Sequence, residues 1–224
     1  MEADFWHARW RTGQIGFHQS SPHPFLERWW TSIGVAAGAR VYVPLCGKSL
    51  DMVWLGVRGY SVVGTELSGI AAREFFGEQQ LHPPRDDALR VDTHGPFTRH
   101  RSGRYEILEG DAFSLTPELL GPVQAGYDRA ALVALPPETR PTYAERFAAL
   151  MPPGSHTLLV AFEYDERLKP GPPFSVTAAE VERLYAPHFV VEPLERVDIL
   201  AESPKFAAAG VRSLHEVAWA LTRR

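Results

Sequence analysis

The chain has 224 residues, 45% of them hydrophobic and 22% charged, with 27 acidic and 23 basic side chains and a net charge of −4. That balance excludes the basic excess of a nucleic-acid binder and the apolar-poor composition of a disordered chain. No run approaches the ~20 apolar residues of a membrane helix, the start Met1-Glu-Ala-Asp-Phe-Trp is no signal peptide, and the single Cys46 excludes a disulfide framework and makes a reducing cytoplasm the expected compartment. Asp4–Arg11 reads as a helix with Asp4 as cap and Gly13 as stop. Residues 13–22 form a glycine-flanked loop with Phe17 at its tip. Pro24–Ser32 is a second helix, and Phe25, Leu26, Trp29, Trp30 and Ile33 form its apolar stripe. Arg40-Val-Tyr-Val-Pro-Leu is a strand ending in Cys46-Gly47, followed by a helix over Ser49–Gly56. Tyr60–Glu66 is the next strand and Ser68–Gln80 the next helix, capped by Ser68. Residues 82–103, rich in proline, charge and histidine, read as an excursion loop. Tyr105–Glu109 and Gly126–Leu135 supply two more strands with their loops. A helix follows from Pro141 through Tyr143, Phe147, Leu150 and Met151. His156–Phe162 is a strand, Thr177-Ala-Ala-Glu180 is a capping box that opens a helix, and Phe189–Val197 and Leu214–Leu221 close the chain as strands.

Strands alternating with helices predict an α/β fold, with a mostly parallel sheet covered on both faces. Ligands of such sheets bind beyond the carboxyl ends of the strands. Those ends are Leu45–Ser49, Glu66, Gly110–Phe113 and Asp128–Leu132. Glu66 follows Gly47 by nineteen residues, near the ~20-residue separation at which a strand acid meets a ribose diol. Asp111 and Phe113 offer an acid and a ring to an adenine. The turn has one glycine and Pro44 before it, not the glycine-rich fingerprint that cradles a pyrophosphate. A nucleoside without 5′-phosphates, such as S-adenosylmethionine, suits it better. The plainer alternative is that Gly47 only turns the chain and Glu66 only ends a strand.

The run Val43-Pro-Leu-Cys-Gly-Lys-Ser-Leu-Asp-Met-Val-Trp-Leu, continued by Gly59-Tyr-Ser-Val-Val-Gly-Thr-Glu-Leu-Ser, resembles the thiopurine S-methyltransferase signature. So do Trp6-His-Ala-Arg-Trp10 with Gly16-Phe-His-Gln19, Tyr127–Leu135, Tyr164-Asp165 and Gly171-Pro-Pro-Phe174. The matches run in order over nearly the whole chain, at the compact length of bacterial members. The resemblance implies a Rossmann-like class I methyltransferase sandwich over residues 1–224. Residues 1–34 would be a helical lid over the cofactor, and the protein a monomer. It implies methyl transfer from S-adenosylmethionine to the sulfur of thiopurines and aromatic thiols; bacterial relatives add selenium and tellurium compounds. By motif, Trp10, Leu45, Gly47, Glu66, Ala112, Phe113 and Arg129 resemble the cofactor set. Phe17 resembles the substrate-side aromatic, and Arg129 would stand at the reacting centre. Animal members carry an arginine before the last strands. Here the stretch is Glu202–Gly210, so Lys205 is the nearest candidate and Arg212 the next, and lysine lacks the planar guanidinium fork.

Displacement at a sulfonium releases a neutral thioether and needs no general acid. Arg129, with Lys205, is therefore expected to favour and position an anionic thiol rather than abstract a proton, any residual proton leaving to water. Plainer readings stand beside these. Trp29 and Trp30 are expected to be core. His18 reads as a polar loop residue or a base. Asp128 orients Arg129 or ends a strand. His82, His94 and His100 lack ligand spacing, so no metal is expected. A nicotinamide-dependent oxidoreductase and a non-catalytic adenosine-ligand binder are the competing functions.

Overall fold

A computed structural model describes residues 3–78 and 88–224. Helices α1 (Ala3–Arg11) and α2 (Pro24–Trp29) precede strand β1 (Arg40–Val43). Pro44, which has no N–H to give a ladder, follows β1 directly. Then come α3 (Leu50–Val57), β2 (Ser61–Glu66) and α4 (Gly69–Glu78); the last two residues of the helix expected over Ser68–Gln80 lie outside the described residues. Ser49 Oγ accepts the Asp51 N–H at 3.1 Å and opens α3. Strands β3 (Arg90–His94), β4 (Phe97–Ser102) and β5 (Tyr105–Glu109) follow, then α5 (Pro117–Leu120), β6 (Ala125–Arg129) and α6 (Arg140–Leu150). The chain continues through β7 (His156–Tyr164), α7 (Ala178–Tyr185), β8 (Phe189–Asp198), α8 (Pro204–Ala208) and β9 (Leu214–Arg223).

One nine-stranded sheet has the order β3-β4-β5-β2-β1-β6-β7-β9-β8. β5, β2, β1, β6 and β7 are parallel neighbours. β9 is antiparallel to both β7 and β8. The excursion loop expected over 82–103 is corrected: within it, β3 and β4 form a hairpin that adds antiparallel to β5. Its two-residue turn is Gly95-Pro96, with Gly95 at φ 57°, a left-handed position that glycine adopts freely. Asp92 on β3 accepts from Arg99 and Arg101 on β4, each at 2.8 Å, so the charges that read as a solvated loop are cross-strand pairs.

Two cores cover the sheet faces. One gathers Tyr42, Val63, Leu108, Phe147, Val181 and Phe189; the other gathers Trp30, Val41, Trp54, Val62, Phe75 and Tyr127. Trp30 is core, its ring edge-on to Tyr60 and Tyr127. Trp29 is only half-buried, and its Nε1 donates to Glu195 at 2.7 Å, so half of the expected tryptophan pair serves the rim. Thr177 caps α7 as expected, accepting the Glu180 N–H at 3.3 Å. The Glu180 carboxylate turns to Arg140, 2.8 Å away. Gly126 on β6 has no room for a side chain, since a Cβ there would lie 2.6 Å from Thr157 Oγ1 and 2.8 Å from Phe147 Cζ. Overpacking of this kind costs about 1–3 kcal/mol. Gly126→Ala is therefore expected to lower the melting temperature by about 3–10 °C in calorimetry.

Candidate functional site

The carboxyl ends of β1, β2, β5 and β6 meet at one edge of the sheet, on both sides of the point between β1 and β6 where strand order reverses. Among the described residues, the non-glycine positions with positive φ are Leu45 at 46° and Ala130 at 66°. One follows β1 and the other follows β6. Left-handed backbone at a residue with a Cβ is a local cost that surrounding structure must hold in place, and it gathers at functional sites. Gly47, at φ 54°, completes the β1 turn. A Cβ there would sit 3.2 Å from Cζ2 of Trp10, so the indole lies directly on the turn.

Glu66 is the buried acid of the site, 6% exposed. Its Oε2 accepts the Gly47 N–H at 2.9 Å and its Oε1 accepts the Ser68 N–H at 2.8 Å. Burial pushes its pKa up to about 7, against the opposing pull of the Ser68, Gly47 and Leu67 N–H groups; the neighbouring Glu109 adds to the rise. The carboxylate keeps acceptor capacity beyond these N–H groups, which the hydroxyls of a vicinal diol can fill by donating. Glu109, in register with Glu66, is held by His100 Nε2 at 2.7 Å.

Trp10 and Trp6 grip Phe17 edge-on, with ring centroids 5.6 and 5.8 Å away. Arg129 Nη1 reaches the Phe17 carbonyl at 3.4 Å. A Cβ built on Gly16 would lie 3.5 Å from Lys205 Nζ, which places that amine against the same loop. Trp10, Phe17, Gly47, Glu66, Arg129 and Lys205 therefore form one group, and Leu45 is two residues before Gly47 within it. Arg212 is exposed between α8 and β9. Ala112 and Phe113 lie at the end of β5, one strand beyond Glu66, in a short 3-10 turn where Asp111 Oδ1 accepts the Phe113 N–H at 2.9 Å. The Phe113 ring stands 6.4 Å from Tyr143, and with Ala112, Tyr42 and Phe147 it lines a small cavity.

Asp128 does not hold Arg129. Its carboxylate accepts the Tyr143 hydroxyl at 2.7 Å and the Leu132 N–H at 3.2 Å. Burial raises its pKa to about 6. Its task is to brace the strained turn at Ala130. Lys48 follows Gly47 in the same turn. It is buried, and its amine binds Glu74 at 2.9 Å and Glu78 at 2.7 Å, which fastens the β1 turn to α4. His94 Nε2 meets the Leu119 carbonyl, and His82 lies outside the described residues. Among the described residues no three metal-ligating side chains assemble, and no helix is long and apolar enough to cross a membrane.

Comparison with known proteins bears on the family and the fold. The family model "Thiopurine S-methyltransferase" matches residues 1–224. A thiopurine S-methyltransferase of Pseudomonas entomophila is 48% identical over 223 residues, covering 100% of both chains. One from Azotobacter vinelandii is 45% identical over 224 residues, again covering 100% of both. Among solved structures, Burkholderia thailandensis 1,6-didemethyltoxoflavin-N1-methyltransferase, solved with bound 1,6-didemethyltoxoflavin and S-adenosylhomocysteine, superposes with a TM-score of 0.66 at 16% identity over 99% of this chain and 86% of its own. That likeness shows the class I methyltransferase fold. The chain belongs to the thiopurine S-methyltransferase family.

Proposed function

We propose that the protein transfers a methyl group from S-adenosylmethionine to the sulfur of thiopurines and related heteroaromatic thiols. The observation that carries this reading is Glu66, a buried carboxylate strung between the Gly47 and Ser68 N–H groups at the end of β2. The glycine-poor turn before it suits a nucleoside without a pyrophosphate, which counts against a nicotinamide oxidoreductase. When bound, the sulfonium supplies the methyl group, displaced in line onto the thiol sulfur. Glu66 holds the sugar diol, the Leu45–Gly47 backbone borders the methionine end, and Ala112 and Phe113 border the adenine. Trp10 would lie over the cofactor, and the N-terminal segment through residue 34 would act as the lid that excludes water. Phe17, Arg129 and Lys205 form the acceptor side. Their chief service is alignment, worth up to about 7–11 kcal/mol of barrier. We take the protein as a monomer in the cytoplasm, consistent with its one buried free thiol.

Turnover of labelled S-adenosylmethionine against thiopurines, other thiols and selenium and tellurium oxyanions tests the reading. Methylated thiopurine is the expected product. Binding of S-adenosylhomocysteine without turnover of any acceptor would favour the non-catalytic binder instead. Arg129→Ala is expected to raise KM at least tenfold more for an ionised than for a neutral thiol, since a guanidinium stays charged and pairs with the anion. Equal increases for both thiols in steady-state kinetics would remove the assignment.

A further inference from the structure

We propose that His18 accepts the thiol proton when the acceptor arrives un-ionised, which widens the enzyme's range beyond thiols that are already thiolates. This rests on the methyl-transfer reading above. His18 follows Phe17 in the loop that faces Arg129, and its backbone is fixed by a 2.8 Å hydrogen bond from its N–H to the Ile15 carbonyl. The imidazole is half-buried, and its ring makes no hydrogen bond to any other described residue. A ring nitrogen is therefore unengaged, one residue from the carbonyl that Arg129 touches.

The charges that act on it electrostatically are Lys48, Glu74 and Glu78 from the β1 turn and α4, and Arg129 from the end of β6. Glu74 and Glu78 are both bound to Lys48, which blunts their attraction for an imidazolium. Burial, Lys48 and Arg129 hold the imidazole below its ordinary value of 6.5, against the two glutamates. At neutral pH the ring is uncharged and able to take a proton. Arg129 has no such capacity, because its guanidinium keeps its proton. The two residues thus divide the acceptors: Arg129 pairs with thiolates, and His18 serves thiols.

The step balances. The S–H electron pair stays on sulfur as the proton moves to an imidazole nitrogen, the sulfur forms the new S–CH3 bond, and the old sulfonium–carbon bond breaks with its pair on the departing thioether. The imidazolium then gives its proton to solvent.

The test compares wild type, His18→Asn and His18→Gln on two acceptors at pH 7.5: a heteroaromatic thiol that is ionised there and a benzylic thiol that is not. The ratio of kcat/KM for the benzylic thiol to that for the heteroaromatic one is expected to fall about 100-fold in both variants, with S-adenosylhomocysteine affinity by calorimetry reporting that the cofactor side is intact. In wild type, kcat/KM for the benzylic thiol should gain a limb that rises as pH passes upward through a value below 6.5, and the variants should follow thiol ionisation alone. An unchanged ratio, or a wild-type profile without that limb, overturns the proposal. A wild type that methylates neither thiol would instead overturn the methyl-transfer reading.

Discussion

Glu66→Gln is expected to weaken S-adenosylhomocysteine binding about 100-fold or more, near 2.7 kcal/mol, with the melting temperature changed far less. The carboxylate has acceptors on both oxygens, and both already face N–H donors, from Gly47 at 2.9 Å and Ser68 at 2.8 Å. An amide turns one of those positions into a donor. Either the Gly47 turn or the start of α4 then meets an N–H with another N–H, and one diol hydroxyl loses its charged partner. Titration calorimetry beside thermal unfolding checks this. A collapse of folding that matches the lost affinity would reduce Glu66 to a structural acid. The same group makes binding depend on pH. Its pKa in the folded protein, about 7, lies above its ordinary value of 4.5. Between those values the folded chain binds more protons than the unfolded one, so the stability this group contributes falls as pH rises from about 4.5 to about 7. A diol that donates to the carboxylate favours the ionised form. Affinity for S-adenosylhomocysteine should therefore climb about tenfold between pH 6 and 8 and then level off. Glu66→Gln should flatten that climb.

Arg140→Ala is expected to cost about 3–5 kcal/mol of stability and lower the melting temperature by about 10 °C or more. Arg140 is completely buried. Its Nε donates to the Leu135 carbonyl at 3.0 Å, and its Nη1 donates to the Ser175 carbonyl at 3.0 Å and to Glu180 at 2.8 Å. Its Nη2 has no hydrogen-bond partner among the described residues, so the burial is not fully compensated even in the intact protein. Removal leaves two inward carbonyls without their donor and leaves the mostly buried Glu180 carboxylate to Arg183, 3.3 Å away and itself exposed. It also frees the segment before α7, where the Phe174 N–H reaches the Val133 carbonyl beside the β6 turn. Calorimetry of Arg140→Ala and Arg140→Lys measures the cost. A loss below about 1 kcal/mol would mean that water replaces the guanidinium at little expense.

The parallel half of the sheet was readable because each strand ended in punctuation: Pro44 after β1, Glu66 closing β2, Gly110 after β5. The β3–β4 hairpin was not, because its polar faces carry Arg90, Asp92, Arg99 and Arg101, whose pairing across strands has no signature in a single strand. The turn glycine Gly95 was the available signal. At the site, spacing alone located Glu66 relative to Gly47. The left-handed backbone at Ala130 had no sequence mark, since alanine does not announce it. Sequence leaves open whether Asp128 orients Arg129 or ends a strand; the strand alternation that sends successive side chains to opposite faces decides against the first. The meeting of Lys205 with Gly16 joins segments nearly two hundred residues apart, a contact no local pattern contains.

The order of strands at the far side of the sheet has a consequence for how the protein is made. β9 comes later in the chain than β8 yet lies inside it, with β7 on one flank and β8 on the other. On a ribosome, β7 and β8 emerge with a gap between them, and neither can satisfy its facing backbone groups until the later segment arrives to fill the slot. In the half that carries Glu66 and Gly47, β5 fills a similar slot between β2 and β4 but emerges before β6, so the nucleoside end can condense first and the other edge waits, open to wrong partners, for its missing strand.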